Sequence, residues 1–358
     1  MTTALHTPPF LSIDQIPQGW ATEHSRLTEP AVLVFPGQGS QWAGMAAELL
    51  DSSPVFAGRL RECDSALGAF VDWSVEDVMR QRPGAPSLDR VEIVQPVIFA
   101  VHVALAALWQ ANGLAVAAIA GQSQGEVAAA CVAGALSLDD AARIIVRRSQ
   151  LFAEQLVGKG GIASIALSAA EVEPLLAPYT GALEIAGVIG PRTVTVAGEL
   201  GALDDLVARL SGRGIPAKVV PASIPSHCSF IEPLHSQLTE MLAGINPRPS
   251  QIPLYSTVTG AAIDGRELTA DYWYENARRP VLFEPVIQQL IAAGRRVFVE
   301  SSAHPVLTAA MSAAAENAGA PAVITGTLRR GQGDIAQVRK ALASVREEVD
   351  RSPAASAA

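Results

Sequence analysis

Apolar and polar positions along the chain fall into two textures. From residue 31 to about 157, short unbroken apolar runs end at glycine and give way to longer stretches of helical character. VLVF at 32 to 35 has the pattern of a strand buried on both faces. It stops at Pro36 and passes through Gly37-Gln38-Gly39 into a helix-like stretch beginning near Gln41. The same order returns at 115 to 136, with AVAAIA as a strand, GQSQG as a tight turn and EVAAACVAGALSL as a helix of small residues, joined by a crossover helix over 93 to 111. Strand, glycine turn and helix repeated in this order predict an α/β fold with parallel strands.

From about Gly158 to Pro221 the texture changes to alternating short strands and helices: GIASIAL, SAAEVEPLLAPY, ALEIAGVIG, RTVTVAGE, LGALDDLVARLSGRG and AKVVPA. That β-α-β-β-α-β order reads as a ferredoxin-like insert. A turn at 221 to 229, a helix near 230 to 243 and strands at 253 to 258 and 296 to 301 then return to the first lobe. The expected organisation is a leader over 1 to 30, a large lobe over 31 to 157 and 222 to 346, a small lobe over 158 to 221, and a flexible Ala-Ser-Pro tail over 347 to 358.

Composition narrows the class. Of the 358 residues, 49% are hydrophobic and 17% charged, the make-up of a packed domain, and the net charge of -9 disfavours a nucleic-acid partner. Cys63, Cys131 and Cys228 show no Cys-x-x-Cys spacing, so neither a disulfide framework nor a metal site is indicated, and a reducing compartment fits. The first residues lack a basic stretch followed by an apolar one, and no uncharged apolar run reaches the ~20 residues of a membrane helix. The expectation is a soluble cytoplasmic protein with no membrane partner.

The chemistry concentrates at GQSQG, residues 121 to 125, which fits the G-x-S-x-G turn that lifts a serine hydroxyl at a sharp strand-to-helix corner. Ser123 would then sit at a helix N-terminus, whose free N–H groups favour a developing oxyanion. A serine needs a base. His6 and His24 lie in the leader, His102 in an apolar helix and His235 on a helix, which leaves His227 and His304 in turns as equal candidates by inspection. On a helix through 141 to 155, Arg148 shares its face with Ile144, Ile145, Leu151 and Phe152, whereas Arg147 shares one with Arg143 and Gln150. Arg148 should therefore point inward, where a guanidinium is costly unless it meets an anion, and its fork suits a carboxylate.

VFPGQGSQWAGM at 34 to 45, GQSQGEVAAACVAGALSL at 121 to 138, GPR at 190 to 192, DYWYENARRPVLFEPV at 271 to 286 and SSAHPVLTAAM at 301 to 311 resemble the acyltransferase domains of modular polyketide synthases, within the malonyl-CoA:acyl carrier protein transacylase family. The resemblance covers nearly all of 31 to 332. It implies an α/β-hydrolase-like large subdomain with a ferredoxin-like small one, Ser123 as nucleophile and His227 as general acid/base, oriented by backbone carbonyls. It also implies backbone N–H groups of Gln38 and Gln124 as the oxyanion site, with His304 and Asn276 in support.

The implied reaction moves an acyl group from acyl-CoA through acyl-Ser123 to the phosphopantetheine thiol of an acyl carrier protein, with CoA a substrate and no cofactor required. Arg148 would bind the free carboxylate of a malonyl-type unit. Ser226 before the histidine and Gln124 after the serine match the methylmalonyl pattern of that family, while Gln122, Ile224, Pro225 and Ile189 depart from it, and the loss of an aromatic ring at 224 suggests an α-substituent larger than methyl. The acidic carrier would need a local basic patch, for which Arg278, Arg279, Arg295 and Arg296 are candidates. Three alternatives remain at this level: a transferase moving a starter acyl or aminoacyl group between carriers, an editing hydrolase or thioesterase using water, and a non-catalytic docking domain.

Overall fold

In the computed structural model of the chain, which describes residues 29–221 and 224–351, a six-stranded sheet builds a larger lobe and a five-stranded sheet a smaller one. The larger sheet runs Val323–Gly326, Val297–Glu300, Ala31–Phe35, Val116–Gly121, Leu254–Ser256, Ala261–Ile263. Its first five strands are parallel and the last is an antiparallel edge. Ala31–Phe35 is buried at every position because both faces are covered. Ala31, Leu33 and Phe35 enter one core cluster, while Val32 and Val34 meet Phe283, Val286 and Met311 on the opposite side.

Val91–Ala111 is the crossover between the first two strands, and its residues are buried almost throughout. It is long and apolar enough to cross a bilayer by length and composition, an exception to the sequence expectation, but here it is the core helix of the larger lobe. Both ring nitrogens of its His102 are buried without a hydrogen-bond partner among the described residues. Desolvation of the charged form pushes that imidazole down to about 3.

The smaller sheet runs Ala217–Val219, Gly161–Ile165, Thr193–Gly198, Leu183–Gly190 and then Val281–Leu282. Its first four strands are antiparallel neighbours, with helix Leu200–Ser211 packed against them, in the ferredoxin-like arrangement. The fifth joins Leu183–Gly190 in parallel and comes from well beyond the expected insert. Two residues cannot display a period of two, so this strand has no signature in the sequence.

Other departures have local causes. The stretch after Gln41 is a run of turns, not a helix: Gly44 (φ 82°) and Ala46 (φ 55°) take the left-handed region before a short helix at Leu49–Ser52. The expected helix near 230 to 243 divides into a 3-10 segment, Ser229–Leu234, containing Pro233, and a helix, His235–Met241. Helix Ile335–Arg351 buries Val338, Leu342, Val345 and Val349, so the chain remains ordered beyond the Glu347 at which a tail was expected. Of that tail, residues 352–358 lie outside the described residues, as do 1–28 of the expected leader.

An unfolded chain binds a proton at His102 near the ordinary value of 6.5 and the folded chain does not, so the contribution of this residue to stability is full above pH 6.5 and is lost as the pH falls toward 3. Urea denaturation of His102→Leu and of the unsubstituted protein should show the latter losing about 1 kcal/mol more between pH 6 and pH 5.

Candidate active site

Strand Val116–Gly121 and helix Gly125–Val132 meet at a corner whose tip is Ser123, held at φ 54°. A non-glycine residue there is strained and persists only where the surroundings over-determine it. They do. A Cβ on Gly121 would lie 2.4 Å from the Glu126 nitrogen, and one on Gly125 would lie 2.2 Å from the Phe35 carbonyl oxygen. Only hydrogen fits at either position, so both flanking glycines are required by backbone contact.

Ser123 Oγ lies 2.7 Å from His227 Nε2. His227, also at positive φ (62°), is fixed by its own N–H, which donates to the Ala277 carbonyl at 2.8 Å, and by ring Nδ1–H, which donates to the Arg279 carbonyl at 2.9 Å. A carbonyl can only accept, so this bond assigns the proton to Nδ1 and leaves Nε2 as the acceptor facing the serine. Burial and the nearby Arg148 cation push the imidazole down to about 3, while the Arg279 carbonyl acts in the opposite direction. The ring is therefore neutral near pH 7, with the geometry in which it can take the hydroxyl proton.

Arg148, on helix Leu138–Gln155, is 2% exposed. Nη1 donates to Asn276 Oδ1 at 3.0 Å, Nη2 lies 3.5 Å from Ser123 Oγ, and the guanidinium stands 5.1 Å from the Phe152 ring centroid. Nε has no partner, and among the described residues the group makes no ion pair. Burial lowers it to about 10, with Glu126 opposing, so it stays charged near neutral pH. Arg147, as its helical phase requires, faces outward toward Gln150 and Phe70.

Around the corner, the Gln122 side chain accepts from Gly37 N–H at 3.0 Å, tying the first glycine turn to the serine. Among the described residues neither the Gln38 nor the Gln124 backbone N–H has an acceptor. The Gln124 amide is buried with both polar atoms unpartnered. Ile224 and Ser226 are buried just before His227, and Pro225 abuts Gly160 at the seam of the two lobes.

Two expected residues stand apart. Ile189 packs with Val281, Phe283, Leu307 and Met311 in the apolar cluster under the larger sheet, because its strand position turns it toward that core. His304 accepts from the Arg330 N–H at 3.2 Å and makes no hydrogen bond to Ser123 or His227, so of the two histidines that inspection left equal, the structure pairs His227 with the serine. The expected basic patch is partly spent: Arg278 pairs with Glu184 and Glu232, and Arg279 with Glu275.

Sequence reasoning did not single out Glu126. Its carboxylate accepts from the Thr257 N–H and hydroxyl, the Tyr272 hydroxyl and the Asn276 amide. An acid three residues past the serine, inside an alanine-rich run, was the available signal. Among the described residues no cluster of His, Cys, Asp and Glu could hold a metal ion.

Comparison with known proteins adds four findings. The family model described as acyl transferase domain matches residues 32–351. Polyketide synthase GfsB of Streptomyces halstedii is 49% identical over 301 residues, which are 84% of this chain and 5% of that protein, so the chain spans a small fraction of this relative's length. Among solved structures, the acyltransferase domain from module 8 of the salinomycin polyketide synthase is 47% identical, with a TM-score of 0.88, over 92% of this chain and 77% of that one. A loading acyltransferase from the avermectin modular polyketide synthase is 45% identical, with a TM-score of 0.85, over 88% and 99%.

Gly125→Ala drives a methyl into the Phe35 carbonyl and is expected to cost about 3 kcal/mol, the upper end for overpacking, read as a lowered midpoint of chemical denaturation. In the unsubstituted protein, labelling of Ser123 by a fluorophosphonate should stay level from pH 8 to pH 5, because a histidine pushed down to about 3 remains neutral throughout. A fall in rate centred near 6.5 would contradict that assignment.

Proposed function

The chain belongs to the acyl transferase domain family, and from that premise we propose that it moves an α-carboxylated, malonyl-type acyl group from CoA to the phosphopantetheine thiol of an acyl carrier protein. One observation carries the choice of substrate: a buried arginine with no carboxylate partner among the described residues stands 3.5 Å from a serine hydroxyl paired with a histidine. Burying a cation without an anion is costly, and the natural complement of an open guanidinium fork is a carboxylate. A site for uncharged acyl groups has no use for that cost.

In the first half-reaction Ser123 Oγ attacks the thioester carbonyl and its proton passes to His227 Nε2. The oxyanion that forms is received by the unpaired N–H groups of Gln38 and Gln124. Collapse breaks the C–S bond, and the departing CoA thiolate takes the proton from the imidazolium. Because burial and Arg148 disfavour a charged imidazole, that imidazolium is a strong acid and returns its proton readily. In the second half the carrier thiol gives its proton to His227 and attacks the acyl-serine ester, and Ser123 leaves with the proton. No step calls for a cofactor; CoA and the carrier arm are substrates.

The orienting group on Nδ1 is the Arg279 carbonyl, which fixes the tautomer without adding a negative charge to a site that must admit a substrate anion. Ser226 and Gln124 favour an α-branched unit over plain malonyl, and Ile224 with Pro225 leaves space for an alkyl group larger than methyl. A methylene of pocket space supports only ~1–3 kcal/mol of discrimination, so neighbouring units would be taken at lower rates. Gln122 also braces the glycine turn. Arg295 and Arg296, which make no ion pair among the described residues, remain the candidates for contact with an acidic carrier in the cytoplasm.

Ser123→Ala should abolish the acyl-enzyme seen by intact-mass measurement after exposure to a panel of acyl-CoAs. Arg148→Ala should lower kcat/KM for an alkylmalonyl-CoA by about 30-fold or more, the effect of truncating a buried charge partner, and should lower that for butyryl-CoA far less. Equal losses on both substrates would remove the carboxylate role and favour transfer of an uncharged starter group. An acyl-serine that water discharges as fast as carrier protein does would favour the hydrolase.

A further inference from the structure

Behind Arg148 lies a fully buried acid that the transfer chemistry does not touch. Glu126 is 3% exposed, and every group around its carboxyl is a donor: the Thr257 N–H and hydroxyl on Oε1, and on Oε2 the Tyr272 hydroxyl at 2.5 Å and Asn276 Nδ2 at 3.0 Å. Burial raises the carboxyl above its ordinary range, and these four bonds oppose that shift by favouring the ionised form. The hydroxyl chain agrees. Ser256 Oγ already accepts from the N–H groups of Val258 and Thr259, so its own hydrogen goes to Tyr272, whose hydrogen goes to Glu126.

Asn276 links this acid to the arginine. Its Nδ2 is committed to Glu126 and, at 3.2 Å, to the Ser123 carbonyl, which leaves Oδ1 to accept from Arg148 Nη1. Glu126 and the Ser123 carbonyl, both acceptors here, together set which way the amide faces. Were a carboxylate to occupy the place of that amide oxygen, it would form a direct ion pair with the guanidinium and compete with any incoming anion. A neutral amide backed by a carboxylate supplies countercharge at one remove and leaves the Nη2 side of the fork open.

We propose that Glu126, acting through Asn276, is a positioning residue that holds Arg148 as an unpaired cation aimed at the acyl carboxylate, so that selection of α-carboxylated acyl groups depends on the negative charge standing one residue away from the guanidinium. This rests on the carboxylate-binding role of Arg148 proposed above. It goes beyond that role by assigning the selectivity to a relay of two residues that do not themselves meet the substrate.

The test measures kcat and KM for formation of acyl-Ser123 from an alkylmalonyl-CoA and from butyryl-CoA, with thermal unfolding recorded for each protein. Asn276→Asp, nearly isosteric, brings a carboxylate into contact with Nη1. The ratio of kcat/KM between the two substrates should fall at least about 10-fold, chiefly through a higher KM for the carboxylated one, as expected for a lost charge pair. Glu126→Gln removes the charge behind the amide while the Ser123 carbonyl and Arg148 Nη1 still orient it, and the same ratio should fall. The double variant Glu126→Gln/Asn276→Asp restores the net charge but keeps the contact, so its ratio should stay low; recovery would mean that charge count alone matters and would overturn the proposal. If Arg148→Ala loses the preference while Asn276→Asp and Glu126→Gln both keep it within about twofold, the relay is wrong and the carboxylate role stands. If Arg148→Ala keeps the preference, the carboxylate role falls and the relay with it. Should either single variant fail to fold, the other decides.

Discussion

The molecule is organised around one close approach of backbone to backbone. At the end of the central strand the Phe35 carbonyl comes so near Gly125 that no side chain fits between them, and at Gly121 the chain folds back against Glu126 with the same tightness. That contact holds Ser123 at a left-handed φ, and through Gln122 it draws the first glycine turn alongside. The serine, the two unpaired amide N–H groups and the start of the helix beyond are thus one rigid object. The remaining functional groups are brought to it by the other elements of the larger lobe.

The electrostatics follow from dryness. Arg148, His227 and Glu126 are all buried, and the loss of water is the largest influence on each: it lowers Arg148 and His227 and raises Glu126, with neighbours acting second. Arg148 helps to keep His227 neutral, and Glu126 supports the charge on Arg148. None of these influences is a direct ion pair. A site built in this way keeps its polar capacity uncommitted until a substrate arrives, which is the condition for strong recognition of an anion.

Much of this was legible in the residues because it depends on short-range rules. The buried central strand, the glycine-flanked serine and the inward phase of Arg148 each follow from spacing within a few positions, and the order of short elements from 158 to 221 sufficed for the ferredoxin-like reading. What escaped depends on tertiary contact. Inspection had no means of choosing His227 over His304, since the choice is a matter of which loop lies against the corner. Ile189 was expected at the substrate but its strand delivers it to the core. The two-residue strand Val281–Leu282 leaves no local trace, and Asn276, whose partners are about 130 to 150 positions away along the chain, was reached only through the family resemblance.

That short strand ties the two lobes to the chemistry. Within four residues the chain supplies the carbonyl of Arg279 to the imidazole, pairs Val281–Leu282 with the smaller sheet, and donates the Leu282 N–H to the Thr257 carbonyl of the larger lobe. Thr257 in turn is bonded to Glu126. The segment is a clasp by position: the carbonyl that fixes the His227 tautomer, a strand of the smaller sheet and a bond to the larger lobe sit within four consecutive residues, so no one of these contacts can shift without the others.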